Sequence, residues 1–209
     1  MDKVYIIESP SDTDLLADRK EGYALSSALS LAEVPHEYFL VTSESTLTTA
    51  LEQIKEDITE QKRLQTDFQP FIHISAHGDK DGFYLTSEDA VYWPFMVDYL
   101  YELNRILGYL RITPDRKVSA ITLCMSSCEG LAAKSIFDPT KKSVAQAVIG
   151  TEKKISWGES MIAYISFYNA TIVKSSQIPR SVKAMNDAIC ETDVFILITS
   201  PELDNTHTY

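Results

Sequence analysis

The chain has 209 residues, enough for one sizeable α/β domain. Apolar residues make up 44% and charged residues 23%, the balance of a folded globular chain, which excludes intrinsic disorder and fibrous repeats. The 30 acidic residues outnumber the 19 basic ones and give a net charge of -11, so nucleic-acid backbones and anionic membrane surfaces are poor partners. The opening residues 1–8 hold too short an apolar run for a signal peptide, and Glu8 ends it. No stretch approaches the roughly 18 apolar residues of a membrane span. Three cysteines (Cys124, Cys128 and Cys190) cannot all pair, and a chain of this size needs no disulfide scaffold, so a reducing cytoplasm is the expected compartment.

Short β-rich runs alternate with helical spacings. Residues 3–8 predict a first strand, followed by a polar loop over 9–22. Leu25, Ala28, Leu29 and Ala32 mark a helix, and 37–42 a second strand. Leu47, Leu51, Ile54 and Ile58 recur on one helical face. Residues 71–76 predict a third strand, with Gly78 and Gly82 punctuating the loop behind it. Pro94 suits the first turn of a helix running to about residue 110, whose aromatics read as core. A fourth strand over 118–123 leads to Ser126-Ser127-Cys128-Glu129, which matches a capping box and predicts a helix starting near Ser127. A fifth strand over 147–150, helical faces around Met161–Tyr168 and Val182–Ile189, a sixth strand over 193–199 and a polar tail complete the order. This alternation predicts an α/β fold in one domain spanning 1–209: a mostly parallel sheet of about six strands with helices on both faces.

In an open parallel sheet, sites form beyond the carboxyl ends of the strands. The third strand ends in Ala76-His77-Gly78 and the fourth in Leu123-Cys124. If these strands are neighbours, an imidazole and a thiol share one edge, the pairing that nucleophilic thiol catalysis requires. A helix start just after Cys124 favours an anion there, and the amides of Gly78 and Cys124 are candidate oxyanion donors. Cys128 is the rival nucleophile. Cys124 is preferred because the six residues 118–123 span about 20 Å and bring the chain to the sheet edge at Cys124, whereas Cys128 falls inside the predicted helix. His73 reads as a packed or hydrogen-bonded sheet residue, His36 and His207 as solvated, Cys190 as buried filler, and Asp12, Asp14 and Asp18 as a solvated loop.

These residues together resemble the caspase-like cysteine peptidases, and among them the CHAT domains. The caspase signature places the histidine about 50 residues before the cysteine, as His77 and Cys124 stand here. The strand over 71–79 ending in His-Gly, the short strand over 81–85, the Cys-x-Ser of residues 124–126, the 147–152 strand and the Phe-Tyr at 167–168 carry the likeness, over roughly residues 68–190. The resemblance implies a caspase-like three-layer sandwich and a cysteine endopeptidase using a Cys124/His77 dyad on a protein or peptide substrate. It implies no metal or cofactor, and a separate sensor or activator protein in bacterial signalling or defence. In that family the loop after the fifth strand often carries an acidic residue that reads a basic substrate side chain. Glu152 and Glu159 are the candidates, with Trp157 as a pocket wall. Specificity for Asp is not implied, since Ser126 stands where the caspase signature has glycine.

Other readings are a catalytically inactive caspase-like interaction module, a metal site built from His77, Cys124 and Cys128, which lacks a fourth ligand, and a TIR-like or flavodoxin-like nucleotide binder. The last is disfavoured because Ser9-Pro10-Ser11 is no Gly-rich phosphate loop.

Overall fold

A computed structural model of the chain describes residues 2–64, 67–113, 116–138 and 141–200. His207 and the polar tail lie outside the described residues. The strands are β1 (Lys3–Ser9), β2 (His36–Leu40), β3 (Pro70–Gly78), β4 (Gly82–Tyr84), β5 (Ala90–Tyr92), β6 (Tyr109–Thr113), β7 (Arg116–Ser119), β8 (Thr122–Ser126), β9 (Ala147–Thr151) and β10 (Phe195–Thr199). The α-helices are α1 (Asp12–Leu16), α2 (Glu21–Leu31), α3 (Glu44–Leu64), α4 (Trp93–Leu107), α5 (Trp157–Tyr168) and α6 (Ile178–Ala188), with a 3-10 helix at Gly130–Ile136.

The main sheet runs in the order β10-β9-β8-β3-β1-β2, with β4 and β5 attached as a hairpin beyond the end of β3. All neighbours along that path are parallel except β10, which runs antiparallel to β9. This is the mostly parallel, six-stranded sheet the alternation predicts, with β3 and β8 side by side as the site argument requires.

Side-chain alternation divides the core into two layers. Ile72, Ile74 and Ala76 of β3 and Leu123 and Met125 of β8 face the layer holding α3 and α4. The α3 stripe Leu47, Leu51, Ile54 and Ile58 is buried there, each side chain contributing about 1.5–3 kcal/mol. Phe71 and Cys124 face the other layer, against Leu25 and Leu29 of α2, Tyr164, Phe167 and Tyr168 of α5, and Met185 of α6.

Two sequence boundaries move. The fourth predicted strand is divided: Arg116–Ser119 pairs with Tyr109–Thr113 in a separate hairpin, and the sheet strand begins at Thr122 and ends at Ser126. Gly108, at φ 72, ends α4 and lets the chain turn into that hairpin. The predicted capping box does not form. The Ser126 hydroxyl bonds the Ser160 hydroxyl of α5 at 2.6 Å instead. Cys128 and Glu129 sit in a turn closed by the Gly130 N–H on the Ser127 carbonyl at 3.1 Å, with Glu129 left-handed at φ 55.

Candidate active site

The extension of β8 by three residues past Leu123 moves Cys124 off the rim. It lies inside the strand, opposite His73 on one side and Ile149 on the other. It is fully buried under the α5 aromatics. Burial pushes its thiol up to about 12, against a hydrogen bond from the Tyr168 hydroxyl. Cys124 is therefore a small core residue, and with sheet strands on both sides its amide is not presented to the rim. The sequence assignment of nucleophile and oxyanion donor to Cys124 is corrected on these grounds. His73, its register partner, shares a 3.1 Å hydrogen bond between Nδ1 and the Tyr168 hydroxyl and is completely buried.

The register offers a second pairing further along the strands. Phe71 lies opposite Thr122, His73 opposite Cys124 and Ser75 opposite Ser126. Continued past the end of β8, the same offset sets Cys128 abreast of His77. Both side chains line one cavity of about 330 Å³ at the carboxyl edge of the sheet, with Arg19, Ser127, Ile155 and Trp157. Cys128 is half-buried there, and His77 is exposed. Packing at Gly78 is tight, since a Cβ on it would lie 3.1 Å from the Gly82 carbonyl oxygen and 3.3 Å from the Ser127 Cβ beside Cys128. Gly130 is needed for the turn itself: its Cβ would stand 2.7 Å from the Ser127 Oγ.

β1 lies on the other side of β3, and its end supplies the group that holds the imidazole. Ser11 caps the short α1, accepting from the Asp14 N–H at 3.2 Å and donating its hydroxyl to Asp14 Oδ2 at 2.7 Å. His77 Nε2 donates to the same Oδ2 at 2.7 Å, and Arg19 Nε contacts Oδ1 at 2.9 Å. The Asp14 side chain is only 6% exposed. Burial would raise its carboxyl, but the bonds from Ser11 and His77 and the charge of Arg19 outweigh it and hold the group below the usual carboxylate range. An ionised Asp14 fixes His77 as the Nε2–H tautomer, leaving the lone pair on Nδ1. Asp14 thus leaves the solvated loop that the sequence assigned it. The Ser11-x-x-Asp14 spacing just past a strand end is the signal that marks it.

No family model matches the sequence, and no curated protein matches it. Solved structures do. The chain is similar to the Arg-specific cysteine proteinase gingipain R, with a TM-score of 0.51 and 10% identity over 97% of this chain and 47% of that one. It is also similar to a secreted C11 cysteine protease from Bacteroides thetaiotaomicron, solved with an irreversible peptide inhibitor, with a TM-score of 0.51 and 7% identity over 90% of this chain and 58% of that one. The fold is caspase-like. The likeness is one of architecture, and the chain spans about half the length of these two proteins.

The remaining candidates divide. Trp157 opens α5 with its ring 5.2 Å from that of His77, edge to face, and walls the cavity. Glu159 does not reach the cavity: it closes a capping box with Ser156. Glu152 pairs with Lys134 at 2.9 Å on an exposed surface. Neither acidic residue lines the pocket, because one is occupied in ending a helix and the other points to solvent. Cys190 is exposed rather than buried, and His36 is a half-buried strand residue bonded to the Val34 carbonyl at 2.8 Å rather than a solvated loop residue. The burial of Cys124 also separates it from His77 and Cys128, so the metal reading loses a ligand. Among the described residues no cluster of three His, Cys, Asp or Glu is placed to hold a metal ion, and no helix is long and apolar enough to cross a membrane.

Proposed function

We propose that the chain is a cysteine endopeptidase in which Cys128 is the nucleophile, His77 the general base and acid, and Asp14 the residue that orients His77. The observation that carries this reading is the placement of Cys128 and His77 in one cavity at the carboxyl edge of the sheet, with the buried carboxylate of Asp14 on the far side of the imidazole. The Cys128 thiol passes its proton to His77 Nδ1 and the sulfur attacks the peptide carbonyl. The C–N bond then breaks, the leaving amine takes the proton from His77, and a thioester remains on Cys128. Water, deprotonated by His77, attacks the thioester; the C–S bond breaks, the acid leaves, and the thiol regains its proton.

Backbone amides answer the charge on the carbonyl oxygen. The Cys128 amide has no hydrogen-bond acceptor among the described residues. Asp79 donates its N–H to the Gly82 carbonyl at 3.0 Å, so the bonded positions of the β3–β4 ladder are 77 and 79. By the alternation of antiparallel ladders, the Gly78 N–H faces away from β4, on the side of the Cys128 turn. These two amides make the oxyanion site, with Cys128 in the role that the sequence reading gave to Cys124. A separate protein that recruits or activates the chain, implied by the resemblance to CHAT domains, belongs to the same proposal.

Iodoacetamide labelling with peptide mapping tests the nucleophile. Cys128 takes the label faster than the exposed Cys190 in the native chain, Cys128→Ser leaves only the slow Cys190 label and abolishes peptide hydrolysis, and Cys124→Ser leaves the fast label and hydrolysis intact. Hydrolysis that survives Cys128→Ser overturns the assignment.

A further inference from the structure

We infer that the pocket beside Cys128 selects an acidic side chain on the residue whose carbonyl is attacked, and that Arg19 reads it. The inference rests on the peptidase reading above and reverses the basic preference that the resemblance implies.

Among the described residues, Arg19 is the only one with a permanent charge lining the cavity that holds Cys128 and His77. Its Nε is engaged by Asp14, while its side chain stays 55% exposed, so the terminal nitrogens of the guanidinium remain for a ligand. No carboxylate among the described residues lines the cavity. Asp14 is the nearest in the bonding network, and both its oxygens are taken: Oδ1 by Arg19, Oδ2 by Ser11 and His77. Its charge is already paired with Arg19 and its side chain is only 6% exposed, so it is poorly placed to meet a substrate cation. Glu152 and Glu159 are committed to Lys134 and Ser156. A Lys or Arg side chain entering this pocket would meet a fixed guanidinium and no anion, whereas an Asp or Glu would meet a fork of N–H donors held in place by Asp14.

The walls fit the same ligand. Ile155 and the Trp157 ring offer apolar surface for the short methylene stem, and Ser156 adds polar surface beside it. A cavity of about 330 Å³ also has to admit the substrate backbone at Cys128, which leaves room for a side chain of Asp or Glu size. The side chain nearest the Cys128 sulfur is that of the residue bearing the attacked carbonyl, which is why the preference is assigned to that position.

Tetrapeptide aminomethylcoumarin amides that differ only in their last residue (Asp, Glu, Asn, Leu or Lys) test the inference on the full chain, alongside matched acyloxymethyl ketones that label Cys128. The acidic members are expected to exceed the Leu member in kcat/KM and in labelling rate by about 10- to 100-fold, the worth of a charge-assisted hydrogen bond. The ratio of acidic to Leu substrate is the readout for variants, because it cancels any effect that Arg19 exerts through Asp14 and His77. Arg19→Gln brings that ratio close to one, and Arg19→Glu reverses it in favour of Lys. A Leu peptide carrying a free carboxylate one residue beyond the scissile bond tests whether Arg19 reads a chain terminus instead; preferential cleavage of that peptide overturns the side-chain assignment. Equal or faster reaction of the Lys or Leu members, with Cys128 still labelled, overturns the acid preference and leaves the peptidase reading standing. Failure of every ketone to label Cys128 overturns the peptidase reading itself.

Discussion

Replacing Asp14 by Asn keeps the shape of the side chain and removes its charge. Two hydrogen bonds, from Ser11 and His77, and an ion pair with Arg19 end on the wild-type carboxylate. Charge-assisted bonds contribute about 1.5–3 kcal/mol each when buried. His77 and Arg19 are about half exposed, which reduces their share through solvent screening. The net loss comes to about 1–3 kcal/mol, a fall in Tm of roughly 2–10 °C for a chain of this size. The catalytic effect is larger. With the amide oxygen kept on Arg19, the NH₂ group faces His77 Nε2, which must then accept. The neutral imidazole switches to the Nδ1–H tautomer and has no lone pair for the Cys128 proton. The expected loss in kcat/KM is on the order of 10²- to 10⁴-fold, the lower end applying if the thiol ionises readily without a base. The assay is hydrolysis of a fluorogenic peptide at 15 °C, below both melting transitions, with thermal unfolding followed across pH. The Asp14 carboxyl is lowered on folding, so its stabilisation is complete above the unfolded value near 3.9 and disappears as pH falls through the folded value. Wild type and Asp14→Asn therefore converge in stability only in strong acid. Activity of Asp14→Asn within threefold of wild type, under conditions where Cys128→Ser is inert, would show that Asp14 does not orient the histidine.

Cys124→Ser exchanges a buried thiol for a hydroxyl beside Tyr168, and differential scanning calorimetry should register a loss of about 1–2 kcal/mol, with kcat unchanged at temperatures where the variant is folded. Gly130→Ala drives a methyl into the Ser127 hydroxyl and the Met125 Cβ, at 2.7 and 2.8 Å, so the Cys128 turn must shift. A cost of about 1–3 kcal/mol in urea unfolding and a fall in iodoacetamide labelling rate are expected together. Glu152→Gln alters only an exposed ion pair and should move stability by less than about 0.5 kcal/mol. Glu159→Gln keeps the capping geometry with a neutral acceptor and should cost about 0.5 kcal/mol. Neither exchange should alter the ratio of cleavage rates among peptides differing at the residue before the scissile bond.

The sheet was legible because its strands are apolar runs bounded by turn residues, and because the α3 stripe repeats at helical spacing over most of its length. The place of His77 at the strand end was legible for the same reason: β3 is a long unbroken run, and His77 stands near its end. The places of Cys124 and Cys128 were not. Residues 116–126 read as one strand plus a capped helix, whereas the chain spends 116–119 on a hairpin with 109–113 and starts the sheet strand anew at Thr122. Hydrophobicity does not distinguish those two strands. What does is the cross-strand partner, and that is a property of the tertiary pairing. The Ser-x-x-Glu spacing misled in a related way, since the Ser126 hydroxyl has a better use against Ser160 across the interface with α5. Asp14 was hidden by composition, in a loop with other acidic residues. Its neighbours Asp12 and Asp18 are exposed as that loop suggests, and only the convergence of Ser11, Arg19 and His77 singles out the middle one.

β3 and β8 in fact offer two histidine–cysteine pairs with the same register offset. The inner pair, His73 and Cys124, is fully buried beneath Tyr164 and Tyr168, where ionising the thiol would place a charge in the core. Burial has already moved that thiol out of the reactive range. The outer pair, His77 and Cys128, stands two pleat repeats further along, where β8 has ended and β3 runs on beyond it to pair with β4. Backbone amides lose their ladder partners there, and a carboxylate from the end of β1 comes within reach of the imidazole. Residue type and spacing cannot separate the two pairs, because both share them. Position relative to the end of the sheet does, by setting which thiol can ionise, which imidazole can be oriented from behind, and which amides are free to meet an oxyanion.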